Sequence, residues 1–254
     1  GYGDVVQIIK ASSNVGVAQI LWRTFGRTVD GKLERGATVA SAHELLQRLG
    51  FYGSTGLELA GSKPVCTGPR KKDGTLRHQP NPLHPAVGWA YGQGFNVSPM
   101  HMLAAFAALA REDARVVRPT LIPGRGGGRA DLPPVCRERE HLEIIRRGLE
   151  ACVDEGTAHR AFVGFPIPVA GKTGTAEIEQ GAITFNLASF AGYAPRERPR
   201  LAVLVMAKVD ESTRYQDDPD GAKPYGGSVA GPAVRDVVER TLAYLDGHAL
   251  EAGR

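Results

Sequence analysis

The spacing of apolar and polar positions divides the chain into helical stretches followed by strands. Over residues 4–25, Val5, Ile8 and Ile9, then Val17, Leu21, Trp22 and Phe25, recur at helical spacing. Lys10-Ala11-Ser12-Ser13-Asn14 interrupts them. Ser12 and Asn14 are two apart, so on an unbroken helix they would point in different directions. Both reach one cleft only if the chain turns here. Ser and Asn favour a turn because their side chains compete for nearby backbone groups. The plainer reading is an N-cap, by Ser13 or Asn14, for the second helix.

Further helices are predicted downstream. One covers residues 40–49 and is stopped by Gly50. Another opens with Ser98 as cap and Pro99 in the first turn, with Met102, Leu103, Phe106, Ala107 and Ala110 on its apolar face. A third covers 138–153, with Leu142, Ile145, Leu149 and Cys152 inward and Gly156 as its C-terminal cap. The last covers 229–246, with Val234, Val237, Val238, Leu242 and Leu245 on one face. Strands are predicted at 170–177, 187–193 and 200–206. The third strand is a continuous apolar run, which implies burial on both faces, and Pro195 to Pro199 is a hairpin-length turn before it. Strands closed by a covering helix indicate an α+β fold. Residues 60–86 hold five prolines and little periodicity, and read as a long irregular excursion.

The strand 170–177 carries the most chemistry: Ala170-Gly171-Lys172-Thr173-Gly174-Thr175-Ala176-Glu177. Side chains alternate along a strand, so Thr173 and Thr175 present two hydroxyls on one face. Gly174 between them lets another backbone come close. With the cation of Lys172, this makes a seat for an extended, carboxylate-ended ligand. A Thr-rich strand beside a turn is the alternative.

Composition narrows the classes. Hydrophobic residues make up 42% and charged residues 23% of 254, as in soluble globular chains. No apolar run approaches the roughly 18 residues of a membrane span. The net charge of +4 is spread out and not interleaved with aromatics, so no nucleic-acid partner is expected. Arg125-Gly-Gly-Gly-Arg129 lacks the Lys-Ser/Thr of a phosphate loop. Cys66, Cys136 and Cys152 show no metal-ligand spacing, and no cofactor is expected. Cys152 reads as a buried thiol, while Cys66 and Cys136 lie in loop-like stretches and could pair in an oxidising compartment.

Set in order, Ser12-Ser13-Asn14, Tyr91-Gly-Gln-Gly94 with Val97-Ser-Pro99, Glu155-Gly-Thr157, Lys172-Thr-Gly-Thr175 and Tyr225-Gly-Gly227 resemble the transpeptidase domain of class B penicillin-binding proteins. The resemblance covers essentially the whole chain. It implies an α+β penicillin-binding protein/serine β-lactamase-like fold, an antiparallel sheet packed with helices plus an all-helical subdomain. Residues 1–254 would be one domain, incomplete at its N-terminus, mainly helical over 1–165 and with the sheet and last helix over 166–246. The family's attacking serine lies in an S-x-x-K motif, and no Ser here has Lys three positions on. The upstream part is therefore expected to be missing, membrane anchor included, and this chain alone is expected not to react with penicillin.

The implied activity is D,D-transpeptidation of peptidoglycan stem peptides ending in D-Ala-D-Ala, with β-lactams as inhibitors. The implied setting is the extracytoplasmic (periplasmic) face of the membrane, among cell-division or elongation proteins, with the division type favoured. By resemblance Ser12 relays a proton, Asn14 holds the substrate amide and Lys172 tunes Ser12. Thr173, Gly174 and Thr175 dock the terminal carboxylate and backbone. The competing readings are a non-catalytic penicillin-sensing or scaffold relative, and a carboxypeptidase or β-lactamase.

Overall fold

A computed structural model of the chain describes residues 3–26, 28–29, 32–33, 44–58, 88–93, 96–123, 132–181, 183–212 and 224–252. The expected excursion at 60–86, the start of the helix at 40–49, the loop at 125–129 and Cys66 lie outside the described residues. Contacts group the chain into two compact units. The first holds Gly1–Ser12, Leu109–Glu112 and Glu138–Arg254; the second holds Ser13–Ala108 and Asp113–Arg137.

The first unit is built on an antiparallel sheet of three described strands, β3 (Ala170–Gln180), β4 (Ile183–Ala194) and β5 (Leu201–Asp210), in the order β3-β4-β5. Helix α4 (Arg139–Asp154) packs on β3, and α6 (Gly226–Ala252) crosses β4 and β5. The short α5 (His159–Phe162) packs against α6. The core they enclose includes Cys152, Phe162, Val169, Phe190, Val234 and Val238. On α6, Ala230, Val234, Val238 and Leu242 form a stripe four residues apart, the spacing that keeps one helix face against a sheet. Val237 and Leu245, expected on that face, fall beside the stripe and are exposed. The apolar run of β5 is not buried on both faces: Val203 is buried, but Met206 is exposed. β5 has no partner beyond β4 among the described residues, so burial follows the strand's position rather than its composition.

Helix α1 (Val5–Lys10) completes this unit by lying on α4. Asp4 caps it, accepting from the Gln7 N–H at 2.8 Å. Of its four apolar positions Ile8 is the buried one, and Val5 is exposed.

The second unit holds α2 (Asn14–Phe25), the two-residue strands β1 (Thr28–Val29) and β2 (Lys32–Leu33), a helical turn at 44–48 and most of α3 (Pro99–Ala110). As expected, Ser98 caps α3 ahead of Pro99, its hydroxyl accepting from the His101 N–H at 3.4 Å. The buried face of α3 differs from the expected one. It consists of His101, Ala104, Ala105 and Ala108, with Met102 only partly buried. A histidine takes the core position because both ring nitrogens are satisfied. Nε2 lies 2.8 Å from the Gly53 carbonyl and Nδ1 2.6 Å from the Ser98 hydroxyl. No helix among the described residues is long and apolar enough to cross a membrane. No cluster of metal-ligating side chains occurs among them.

Candidate active site

The break expected between the first two helices is real, and it places Ser12. α1 ends as the Ala11 N–H bonds to the Gln7 carbonyl at 3.0 Å, and Ser12 then turns the chain at φ 54°. That left-handed angle is one L-residues avoid, at a cost of roughly 1–2 kcal/mol. Ser13 immediately caps α2, its hydroxyl accepting from the Gly16 N–H at 3.1 Å. The turn and the N-cap, weighed as alternatives, coexist on adjacent serines.

Two glycines on α4 and its C-terminal turn set the position of α1. A Cβ on Gly148 would sit 2.7 Å from Ile9 Cδ1, and one on Gly156 would sit 2.5 Å from the Lys10 carbonyl oxygen. Gly156 is therefore not the left-handed cap expected for α4. Glu155 holds the cap position at φ −143°, and Gly156 is small because the backbone of α1 presses on it. Lys10 also pairs with Glu155 across the same contact.

Ser12 is brought to Lys172, 160 residues away. Lys172 Nζ donates to Ser12 Oγ at 2.7 Å, to the Thr173 carbonyl at 2.8 Å and to Thr173 Oγ1 at 3.4 Å. An ammonium has three protons, and all three are engaged. Strand alternation points Lys172 away from Thr173, yet its long stem folds back far enough to reach that residue. No carboxylate pairs with Lys172 among the described residues. Burial accordingly pushes its ammonium below the ordinary lysine value of 10.5, with Cys152 acting in the opposite sense.

The two threonines differ in their partners. Thr173 Oγ1 lies 2.6 Å from Thr157 Oγ1, which in turn lies 3.3 Å from the buried Cys152 Sγ. Thr175 Oγ1 accepts from the Gly226 N–H at 3.2 Å. No backbone comes close on the side where Gly174 lacks a side chain: a Cβ there would meet only Ser189 Oγ, at 2.7 Å. The glycine that admits a close backbone contact here is Gly226, where a Cβ would lie 2.6 Å from the Gly174 carbonyl oxygen. The edge of β3 away from β4 has no strand partner among the described residues.

Asn14 opens α2 in the second unit. With Gln19, Trp22, Arg23, Tyr91 and Gln93 it lines an open groove of about 550 Å³. Trp22, expected in the core, faces this groove and is exposed.

This arrangement joins a serine hydroxyl to a cation destabilised by burial, beside two hydroxyls on an accessible strand. Such a pair can hold or pass a proton and stabilise charge developing on the serine oxygen. Thr157, Cys152 and Gly226 were not identified as site residues from the sequence. Only the position of Glu155-Gly156-Thr157 ahead of the lysine strand hinted at the first. The strain at Ser12 gives an expected outcome. Ser12→Gly removes the penalty of a left-handed L-residue together with the hydroxyl. The variant should stay within about 1 kcal/mol of wild type in urea denaturation, relief of strain offsetting the lost bond from Lys172, while losing whatever activity the hydroxyl supports.

Comparison with known proteins places this geometry in context. The family model for the penicillin binding protein transpeptidase domain matches residues 1–239. Stage V sporulation protein D of Bacillus subtilis (strain 168) is 30% identical over 212 residues, which is 79% of this chain and 30% of that protein. Peptidoglycan D,D-transpeptidase FtsI of Escherichia coli (strain K12) is 25% identical over 247 residues, 92% of this chain and 35% of that one. The apo TP domain of Burkholderia pseudomallei penicillin-binding protein 3 superposes with a TM-score of 0.67 at 26% identity, covering 95% of this chain and 64% of that one. The chain thus spans about a third of the length of these curated relatives.

Proposed function

This chain belongs to the family of penicillin-binding protein transpeptidase domains, and from that premise we propose that it forms the substrate-docking and proton-handling part of a serine D,D-transpeptidase. The substrate is a peptidoglycan stem peptide ending in D-Ala-D-Ala, and β-lactams compete for the same cleft. The observation that carries the proposal is the 2.7 Å hydrogen bond from Lys172 to Ser12 beside the Thr173–Thr175 wall.

In the proposed reaction a serine hydroxyl gives its proton to the lysine of its S-x-x-K motif and attacks the carbonyl carbon between the two D-alanines, and the amide C–N bond breaks. The departing amine needs a proton. Because Lys172 donates to Ser12 Oγ, the Ser12 proton is free to move to that amine. The neighbouring ammonium stabilises the oxygen left behind until the proton taken from the nucleophile replaces the one Ser12 gave up. The hydroxyls of Thr173 and Thr175 donate to the terminal carboxylate, and the free edge of β3 takes the extended backbone. Asn14 holds the substrate amide. An amine on a second stem peptide then accepts the acyl group. The nucleophile, in an S-x-x-K motif that these 254 residues lack, is supplied from outside them. The setting is extracytoplasmic cell-wall synthesis, with attachment to the membrane through an anchor outside these residues. Protein partners belong to the division machinery rather than the elongation machinery. Similarity to Peptidoglycan D,D-transpeptidase FtsI and to Stage V sporulation protein D supports that assignment.

The test uses the product of the complete gene. It is incubated with an N-acylated peptide ending in D-Ala-D-Ala and a labelled D-amino acid. Exchange of the terminal D-alanine for the label, blocked by benzylpenicillin, is the expected result. No exchange and no reaction with penicillin would remove the transpeptidase reading.

A further inference from the structure

Thr173 Oγ1 sits at the end of a chain of hydroxyls that leads into the core of the first unit. Cys152 is fully buried on α4. Its Sγ lies 3.3 Å from Thr157 Oγ1, and Thr157 Oγ1 lies 2.6 Å from Thr173 Oγ1. The direction of these bonds follows from what each group can do. A thiol sulfur is a weak acceptor. Either order keeps one O–H···O bond between the threonines, so the ligand decides: once Thr173 donates to an anionic oxygen, the order is Cys152 S–H to Thr157, then Thr157 O–H to Thr173. Lys172 Nζ approaches the same Thr173 oxygen as a donor at 3.4 Å. Both lone pairs of Thr173 Oγ1 are then filled from inside the chain. In that order its own proton turns outward.

We infer that Thr157 and Cys152 act as positioning residues that let the Thr173 hydroxyl donate to an anionic ligand oxygen while its own oxygen stays satisfied. Without them the Thr173 hydroxyl rotates, and its oxygen loses a donor when it gives its proton to a ligand. With them the hydroxyl is held in place and its oxygen stays satisfied as the proton goes to a carboxylate. Thr175 is prepared in a similar way, because its oxygen accepts from the Gly226 N–H and its proton is left to donate. Preorganised donors of this kind discriminate between a carboxylate and a neutral group of the same shape. The inference rests on the proposed role of Thr173 in carboxylate binding, and it names the groups that give that threonine its selectivity.

The experiment measures acylation of the complete gene product by benzylpenicillin and by its methyl ester, which lacks the charge. The ratio of the two rate constants is the readout. The wild type should prefer the free carboxylate. Thr157→Val should reduce that preference roughly tenfold, the size of one charge-assisted hydrogen bond, with the ester rate nearly unchanged. Thr157→Ser should restore it. Cys152→Ala should shift the ratio in the same direction by a few-fold. Thr157→Val combined with Thr173→Val should lose no more than Thr173→Val alone, because both act on one hydroxyl. Equal slowing of both substrates by Thr157→Val would show a merely structural role and overturn the relay. An unchanged ratio would overturn it as well. A wild type with no preference for the carboxylate would remove the role of Thr173 itself, and a wild type that penicillin does not acylate would remove the transpeptidase reading. Each of those two results is distinct from failure of the relay alone, in which the wild-type preference stays intact.

Discussion

Lys172→Met should slow acylation of the complete gene product by benzylpenicillin by about 10²–10⁴-fold, the range in which a positioned proton-handling group contributes. Three acceptors surround Nζ. Ser12 Oγ at 2.7 Å is the one whose charge changes as it gives its proton to the departing amine. A methionine fills similar volume but offers no proton and no charge, so the serine oxygen loses its stabilising donor when it needs one most. The effect on stability should be small, within about 1 kcal/mol. Removing an ammonium whose charge burial disfavours offsets the loss of its hydrogen bonds to Ser12 and Thr173. Stopped-flow acylation and urea denaturation of the same preparation separate the two effects. A rate within fivefold of wild type would show that the Lys172–Ser12 contact is not used in the reaction.

Gly156→Val should also impair the reaction, although Gly156 has no side chain to bond Ser12 or Lys172. The added Cβ would fall 2.5 Å from the Lys10 carbonyl oxygen, 2.8 Å from Cys152 Cα and 2.9 Å from the Cys152 carbonyl oxygen. All three are backbone atoms, so no side chain can swing away. The end of α1 must move off α4, and Ser12 lies two residues beyond Lys10. A displacement near 1 Å at a reacting group can cost about 100-fold, and that loss is expected here in acylation. Overpacking should also cost about 1–3 kcal/mol of stability. Gly3→Val is the matching control, since a Cβ there meets nothing within 4 Å. If Gly156→Val retained wild-type acylation, α1 would not be the element that holds Ser12 in place.

These two variants mark the divide between what the sequence reveals and what it hides. The helix at 138–153 was legible because a strong apolar stripe runs through it, and it is found as Arg139–Asp154. Ser98-Pro99 was legible because capping is a local rule between neighbours. The buried face of α3 was not, because a histidine becomes a core residue only when partners such as the Gly53 carbonyl satisfy it. Val237 and Leu245 were misplaced for a related reason: which of several apolar residues faces inward depends on where the sheet lies. In the site, Lys172 and Ser12 were joined through family resemblance alone, since 160 residues of sequence separate them. Thr157 and Gly156 were hidden more deeply. One matters through a hydrogen bond to Thr173 and the other through the space it leaves for α1, and neither property has a local signature.

The account turns on the charge of Lys172 supporting Ser12, and the pH dependence of acylation tests it most directly. Burial lowers the pKa of Lys172, so the ammonium form is lost below the ordinary lysine value of 10.5. If the charged form does the work, activity is present below the lowered pKa and falls as pH rises through it. Wild type should therefore show an alkaline limb below that of an unperturbed lysine. Lys172→Arg stays charged far above it, so whatever activity that variant retains should keep its alkaline limb at higher pH. Identical limbs in the two proteins, or a wild-type rate that rises as Lys172 loses its proton, would contradict the account.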